Sequence, residues 1–282
     1  MRPEWLRVPV SGGETAGETR RLLGRLGLNT VCDQAKCPNR GHCYQRGTAA
    51  FLIMGSVCTR NCRYCAVESG VPGPPDPEEP GRVARAASAM GLRYAVVSSV
   101  TRDDLPDGGA GWFEAAVNAL RKAVPGIRIE VLTPDFRGDR SSLETVARSR
   151  PDVINHNLET VERLFPSLRP GGDYRLSLAV LRRFRELSAG SPVKSGLMLG
   201  LGETDGDLDE ALRELLEAGV SMLTLGQYLR PTRNHAPVER YVTPDEFLRL
   251  RDRALEMGFE SVASGPLVRS SYHADLHAAP LL

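Results

Sequence analysis

From residue 48 onward the apolar positions fall into a repeating pattern. Six short runs rich in apolar and β-branched residues each end at glycine, serine, threonine or a polar cluster: AFLIMGS (50–56), RYAVVSSV (93–100), IRIEVLT (127–133), DVINHNL (152–158), VKSGLMLG (193–200) and VSMLTLG (220–226). They read as buried strands. Helical periodicity fills the intervals at 77–90, 111–123, 141–149, 174–187, 208–219 and 243–258; the first puts Val83, Ala86, Ala87 and Met90 on one face. The last opens with Thr243 as N-cap, Pro244 in the first turn and Glu246 closing a capping box, and Gly219 and Gly258 are good stops. Alternating strands and helices predict a parallel sheet covered by helices, either open and doubly wound or a partial barrel. Both forms bind ligands at the C-terminal ends of their strands. Residues 1–47 stand outside this rhythm, being polar and Gly-rich with one helical pattern at about Glu18–Leu26, and GVPGPPDPEEPG (70–81) reads as a linker.

Composition changes the picture little. The 282 residues are 41% hydrophobic and 25% charged, with a formal net charge of +1. No global field selects nucleic acid or membrane as a partner. The N-terminal stretch has no apolar signal region and no apolar run is long enough to span a bilayer, so the expected location is cytoplasmic. Clustered cysteines there are expected to bind metal or do redox chemistry.

All six cysteines lie in one window, as two triplets: Cys32-x4-Cys37-x5-Cys43 and Cys58-x3-Cys62-x2-Cys65. The second follows the first strand, at the ligand-binding end. Three thiolates can hold three irons of a 4Fe–4S cube and leave the fourth iron open for a small molecule. A structural zinc knot is the plain alternative, and C-x3-C-x2-C is a poor zinc spacing. His42, His235, His273 and His277 show no metal spacing, and none is assigned as a ligand.

With Tyr64 just before its last cysteine, the second triplet resembles the cluster loop of radical S-adenosylmethionine enzymes. The resemblance implies a partial (β/α)6 barrel of TIM type. It also implies that the open iron on Cys58, Cys62 and Cys65 is chelated by S-adenosylmethionine, whose reductive cleavage gives a 5′-deoxyadenosyl radical; no side chain is then catalytic in the usual sense. Gly196, Gly200 and Glu203, in GLMLGLGE, resemble the family's element beside the adenine. Met198 stands where isoleucine is usual, and the segment taken alone can also be read as a phosphate loop. Gly108 and Gly109 resemble its Gly-Gly-Glu element, with Ala110 in place of the glutamate, and can equally form a plain turn.

The upstream triplet, together with TRDDLPDGGA, HNLETV, YLRPT and RSSYHA, resembles the lipoyl synthase family over nearly the whole chain. That resemblance implies an auxiliary 4Fe–4S cluster on Cys32, Cys37 and Cys43 whose sulfides are inserted at C6 and C8 of an octanoyl-lysine. It divides the chain into an N-terminal extension (1–47), a barrel (48–258) and a C-terminal segment (259–282) expected to be a tail that folds back over the barrel mouth. The implied partners are an octanoylated lipoyl carrier domain or H protein, an electron donor such as ferredoxin or flavodoxin, and an iron–sulfur carrier that rebuilds the spent cluster. Tyr64, Asn157, Glu159 and Arg175 join the expected cofactor contacts, although His156, Asn157 and Glu159 can also be read as a helix start and Arg175 as a solvated helix residue. Gln227, Tyr228 and Arg230 are the expected substrate contacts. The auxiliary cube needs a fourth ligand and there is no seventh cysteine; the resemblance points to a serine of Arg269-Ser270-Ser271-Tyr272, and Ser270 is expected, on the premise that the segment is extended. A two-cluster electron carrier is the alternative function, separated by whether S-adenosylmethionine is cleaved.

Overall fold

The strand–helix rhythm is realised in both halves of the chain. The structure, a computed structural model, describes residues 3–8, 13–188 and 190–282. Contacts group it into two units, one of Val8–Arg60 and Ala66–Asp152, the other of Asn61–Cys65 and Val153–Leu282 with the first residues of the chain.

The first unit begins with α1 (Glu14–Arg25), which buries Ala16, Thr19 and Leu23 at helical spacing. Then come β1 (Asn29–Thr30), α2 (Val31–Gln34) and α3 (Arg40–Gln45). Residues 14–45 are therefore more structured than the polar composition of the first 47 suggests. β1 runs antiparallel to β2 (Ala50–Ile53), with Thr30 opposite Phe51. β3 (Val57–Cys58) and β4 (Glu68–Ser69) form a separate two-stranded parallel pair. After α4 (Glu79–Ala89), β5 (Tyr94–Ser99) pairs parallel with β2 and with β6 (Arg128–Leu132). α5 (Ala110–Ala123) and α6 (Arg140–Arg148) complete the unit. β2 and the centre of β5 are buried on both faces, as a helix-covered parallel sheet demands.

The second unit contains β7 (Val153–Asn155), α7 (Phe165–Leu168), α8 (Tyr174–Leu187), β8 (Val193–Leu199), α9 (Asp205–Glu217), β9 (Met222–Gln227) and α10 (Pro244–Met257). β7, β8 and β9 pair in parallel and in order. The capping box expected at α10 is present: Thr243 Oγ1 accepts the Glu246 amide at 3.3 Å and the Glu246 carboxylate accepts the Thr243 amide at 2.7 Å. Such a cap contributes about 1 kcal/mol.

One parallel strand escapes the sequence pattern. β10 (Ser261–Gly265) pairs with β9 from Ser261 opposite Met222 to Gly265 opposite Gly226, and α11 (Ala274–Ala278) follows. Residues 259–282 thus carry a strand and a helix and are not merely a tail. Between them, Ser270–His273 form a turn, with the Tyr272 amide donating to the Arg269 carbonyl at 2.9 Å. The premise of an extended Ser270–Ser271 segment is corrected accordingly.

Candidate active site

The first cysteine triplet sits on and between two short helices. Cys32 is in α2, Cys43 in α3, and Cys37 between them with its amide on the Cys32 carbonyl at 3.1 Å. Helices this short are not stable by themselves, and a polar knot holds them together. The Tyr44 hydroxyl and Thr30 Oγ1 donate to Asp33 Oδ2 at 2.5 and 2.9 Å, and Arg40 reaches Asp33 Oδ1 at 2.9 Å. Asp33 and Tyr44 were not marked by the sequence pattern; a tyrosine 14 residues after the N-cap Thr30 gives no local signal.

None of the six cysteines is in a disulfide. Burial pushes the Cys32 thiol up to about 12 and the Cys43 thiol up to about 11, with repulsion from Cys37 adding to both. The Cys32 and Cys43 thiols, raised by burial and by a third thiol beside them, resist ionisation until cationic iron neutralises them. The donor set therefore fits an iron–sulfur group. Among the described residues no three His, Cys, Asp or Glu side chains are gathered around a point as one metal ion requires. A cube binds its thiolates on separate irons and does not ask for that convergence.

Of the second triplet, Cys58 belongs to the first unit and Cys62 and Cys65 to the second. In the first, Cys58 ends β3, and its sulfur accepts the Arg60 and Thr101 amides at 3.4 and 3.3 Å. Amide hydrogen bonds of this kind stabilise a cluster thiolate and tune its potential. In the second, Cys62 and Cys65 close a turn, the Cys65 amide donating to the Cys62 carbonyl at 3.0 Å. That turn is pinned from both sides: the Arg63 amide to the Leu168 carbonyl and the Ala236 amide to the Arg63 carbonyl, both 2.8 Å. His235 Nε2 lies 2.9 Å from the Cys65 carbonyl, with Nδ1 2.8 Å from Thr232 Oγ1. His235 is thus a support of the loop backbone, a role its sequence position 170 residues away does not announce. The Tyr64 ring packs against the apolar cluster of Leu168, Leu201, Tyr228 and Ala236.

In the second unit the strand ends bring together several expected residues. Asn157 Nδ2 donates to Glu159 Oε1 at 3.2 Å, and Arg169 donates to the Asn157 carbonyl at 3.2 Å. Glu159 has a left-handed φ of 74°, held by a bridge to β8 in which its amide and carbonyl bond Gly196 and Met198, both at 2.9 Å. Burial pushes its carboxyl up, opposed by Arg169 and Arg269. No helix starts at Asn157, so the capping alternative falls away. Ser270 reaches this same place: its hydroxyl donates to Asn157 Oδ1 at 3.0 Å and lies 3.4 Å from Thr224 Oγ1, while fully buried Lys194 donates to its carbonyl at 2.7 Å.

Two glycines make room for that chain segment. A Cβ on Gly196 would lie 2.4 Å from Thr224 Oγ1 and 3.1 Å from Ser270 Oγ, and one on Gly226 would lie 2.2 Å from the Val268 carbonyl oxygen. The second collision is with backbone, which side-chain rotation cannot relieve. Gly226→Ala is expected to unseat residues 266–271, read as faster amide exchange there in the iron-free protein. Unchanged protection would show that the close approach is not what seats the segment.

The other expected contacts are held by the protein itself. Gly108 and Gly109 turn into α5 with φ of 59° and 90°, and a Cβ on Gly109 would meet Met54 Sδ at 2.3 Å. Glu203 accepts the Gly200 and Leu201 amides at 2.6 and 2.9 Å and closes the turn after β8. The Gln227 carboxamide is taken up by the carbonyls of Leu199, Tyr228 and Arg240 and by the Val242 amide at 2.8–3.1 Å. Tyr228, buried, donates to the Ala236 carbonyl at 2.9 Å, and Arg230 to the carbonyls of His235 and Arg233. Arg175 lies exposed on α8, ion-paired with Glu162 and Glu214. The carboxylate expected from a bound cofactor is supplied there by the protein.

Residues 52–215 match the model of the radical SAM superfamily. Fold similarity extends to a methylornithine synthase (TM-score 0.60, 15% identity, covering 90% of this chain and 76% of that one) and to the FeFe-hydrogenase maturase of Carboxydothermus hydrogenoformans (TM-score 0.61, 13% identity, covering 88% and 57%). The α/β fold with its mostly parallel strands and the C-x3-C-x2-C loop define a radical S-adenosylmethionine enzyme of the partial-barrel type. Among curated relatives, the lipoyl synthase of Rubrobacter xylanophilus is 54% identical over 97% of this chain and 85% of its own length. The lipoyl synthase of Haemophilus influenzae is 51% identical over 99% and 88%. The chain belongs to the lipoyl synthase family.

Proposed function

We propose that this chain converts a protein-bound octanoyl-lysine to the lipoyl group by inserting sulfur at C6 and C8. The observation that carries the reading is the second thiol set: three free cysteines on and between α2 and α3, Cys32 buried and Cys37 and Cys43 half-buried, beyond the three that a radical S-adenosylmethionine enzyme uses. An unactivated C–H bond offers no acidic proton and no leaving group, so side-chain acid–base catalysis cannot open it. When bound, S-adenosylmethionine and its 4Fe–4S cluster supply a 5′-deoxyadenosyl radical, and the auxiliary cluster supplies sulfur.

Within this reading Cys58, Cys62 and Cys65 hold the first cluster, and Cys32, Cys37 and Cys43, with Ser270 as fourth ligand, hold the second. Asn157, Glu159 and Gly196 provide the polar wall and the space beside the strand ends, and Gly200 with Glu203 shapes the adjoining turn. The substrate is carried by a lipoyl carrier domain or H protein, electrons come from a small redox protein such as ferredoxin or flavodoxin, and an iron–sulfur carrier restores the auxiliary cluster. No described helix is long and apolar enough to cross a membrane; the proposed location is cytoplasmic.

The test is anaerobic reconstitution followed by mass analysis of an octanoyl-lysyl peptide. About eight irons per chain are expected from two four-iron clusters, together with 5′-deoxyadenosine and a product carrying two sulfurs. Reversible electron transfer without cleavage of S-adenosylmethionine would instead identify an electron carrier.

A further inference from the structure

We propose that the buried ion triad Arg60–Asp103–Asp135 positions the Cys58 arm of the cluster loop, and that its surplus negative charge makes the cluster held there a stronger reductant. The inference rests on the reading that Cys58 is a ligand of that cluster.

Arg60 stands between Cys58 and Cys62 in sequence, yet its side chain is only 7% exposed. Both forks of its guanidinium are used. Nε and Nη2 bind Asp103 at 2.8 and 2.9 Å, and Nη1 and Nη2 bind Asp135 at 2.5 and 2.7 Å. The Asp135 side chain is 1% exposed and that of Asp103 17%. The same short stretch is bound again through its backbone. The Thr59 amide and hydroxyl both donate to the Thr101 carbonyl at 3.0 Å, and the Asp103 amide donates to Thr59 Oγ1 at 3.1 Å. The loops that follow β5 and β6 therefore grip residues 58–60, whose sulfur accepts the Arg60 and Thr101 amides.

Two further features separate this from an ordinary ion pair. Asp135 also accepts the Arg137 amide at 3.0 Å, across Phe136 and Arg137, which have left-handed φ of 47° and 51°. Such strain persists only where the surroundings over-determine it, and the Arg60 clamp fixes the carboxylate that does so. Charge is the second feature. One buried cation needs one buried anion, and a second is costly unless it serves a purpose. Arg60, Asp103 and Asp135 sum to −1. Arg137 also reaches Asp103 at 3.2 Å, but its side chain is 69% exposed, so solvent weakens its compensation. A fixed negative charge beside a cluster thiolate disfavours the added electron. The reduced cluster then gives that electron up more readily, which reductive cleavage of a sulfonium requires.

The experiment is a potentiometric titration, followed by electron paramagnetic resonance, of the full-length chain with Cys32, Cys37 and Cys43 replaced by alanine, so that one cluster is observed. Asp135→Asn keeps the shape of the carboxylate and removes its charge. Its potential is expected to move positive by an amount on the order of a tenfold change in the reduction equilibrium, ~59 mV for one electron. Arg60→Gln is expected to move it negative, and in the iron-free protein to speed amide exchange at 58–60. A merely structural clamp would give no such opposition of sign. An unchanged or more negative potential in Asp135→Asn overturns the proposal, as does unchanged exchange in Arg60→Gln. Where Asp135→Asn fails to fold, Asp103→Asn carries the same expectation and the same refutation. Failure of the underlying reading is seen separately, because Cys58→Ala would then keep the cluster signal.

Discussion

Replacing Cys58, Cys62 and Cys65 together by alanine is expected to remove about half of the reconstituted iron and to abolish 5′-deoxyadenosine formation. Cys58 is anchored in one unit by two amide hydrogen bonds to its sulfur, and Cys62 and Cys65 in the other by the turn that Leu168, Ala236 and His235 fix. Alanine removes the sulfur that accepts the two Cys58 bonds but leaves the Gly70 amide on the Cys58 carbonyl and the backbone bonds of the Cys62–Cys65 turn, so the loop keeps its path while losing its iron ligands. The complementary change at Cys32, Cys37 and Cys43 is expected to remove the other half of the iron, keep cleavage of S-adenosylmethionine and yield no dithiolated product. The two variants are compared by iron and sulfide content, 5′-deoxyadenosine yield and product mass. Persisting 5′-deoxyadenosine in the first variant, or loss of it in the second with the fold intact, would reverse or sink the assignment of the clusters.

Ser270→Ala is expected to leave both clusters largely assembled and 5′-deoxyadenosine production intact while sulfur insertion drops sharply. Here the hydroxyl is engaged with Asn157, and Lys194 holds the neighbouring carbonyl. Ligation would exchange the Asn157 bond, a contact of about 1 kcal/mol, for an iron–oxygen bond. A serine oxygen is a hard ligand and suits a sulfide-bridged iron less well than thiolate does, which fits a cluster that must come apart. The Lys194 contact is to backbone, so it survives the substitution and the segment stays seated. Ser271→Ala is expected to be much milder. Since the two serines lie in a turn rather than a strand, alternation along the chain does not choose between them; the Ser270 hydroxyl contacts Asn157 and Thr224. Normal lipoyl yield from Ser270→Ala would remove it as a ligand, and a reversed pattern would move the ligand one residue on.

The helices that the periodicity predicts are found, with their ends shifted by a few residues. α10 was marked to its first residue because Thr243, Pro244 and Glu246 act within one turn of each other. The first-strand run shortened to Ala50–Ile53, where Met54 and Gly55 turn the chain with left-handed φ of 66° and 91°, and the fourth to Val153–Asn155. α2 and α3 were illegible: four and six residues cannot display an amphipathic period, and Asp33 and Tyr44, not propensity, hold them. β10 was illegible because Ser-Val-Ala-Ser-Gly has no apolar run; its partner β9 makes it a strand. Among the proposed site residues, the six cysteines are marked by their spacing. Gln227, Tyr228, Arg230 and Arg175 have side chains capable of binding a ligand, and the fold gives each of them partners within the protein.

The sequence by itself determined the alternation of strands and helices, the capping of α10 and the two thiol sets, because periodicity, caps and ligand spacing are local properties of a chain. Tertiary structure alone decided that His235 braces the Cys65 carbonyl from 170 residues away, that Gly226 yields to the carbonyl of Val268, and that Ser270 meets Asn157. It also decided that Asp103 and Asp135, 43 and 75 residues beyond Arg60, close on its guanidinium. Those contacts arise where loops from separate strands converge, and no window along the chain contains both partners.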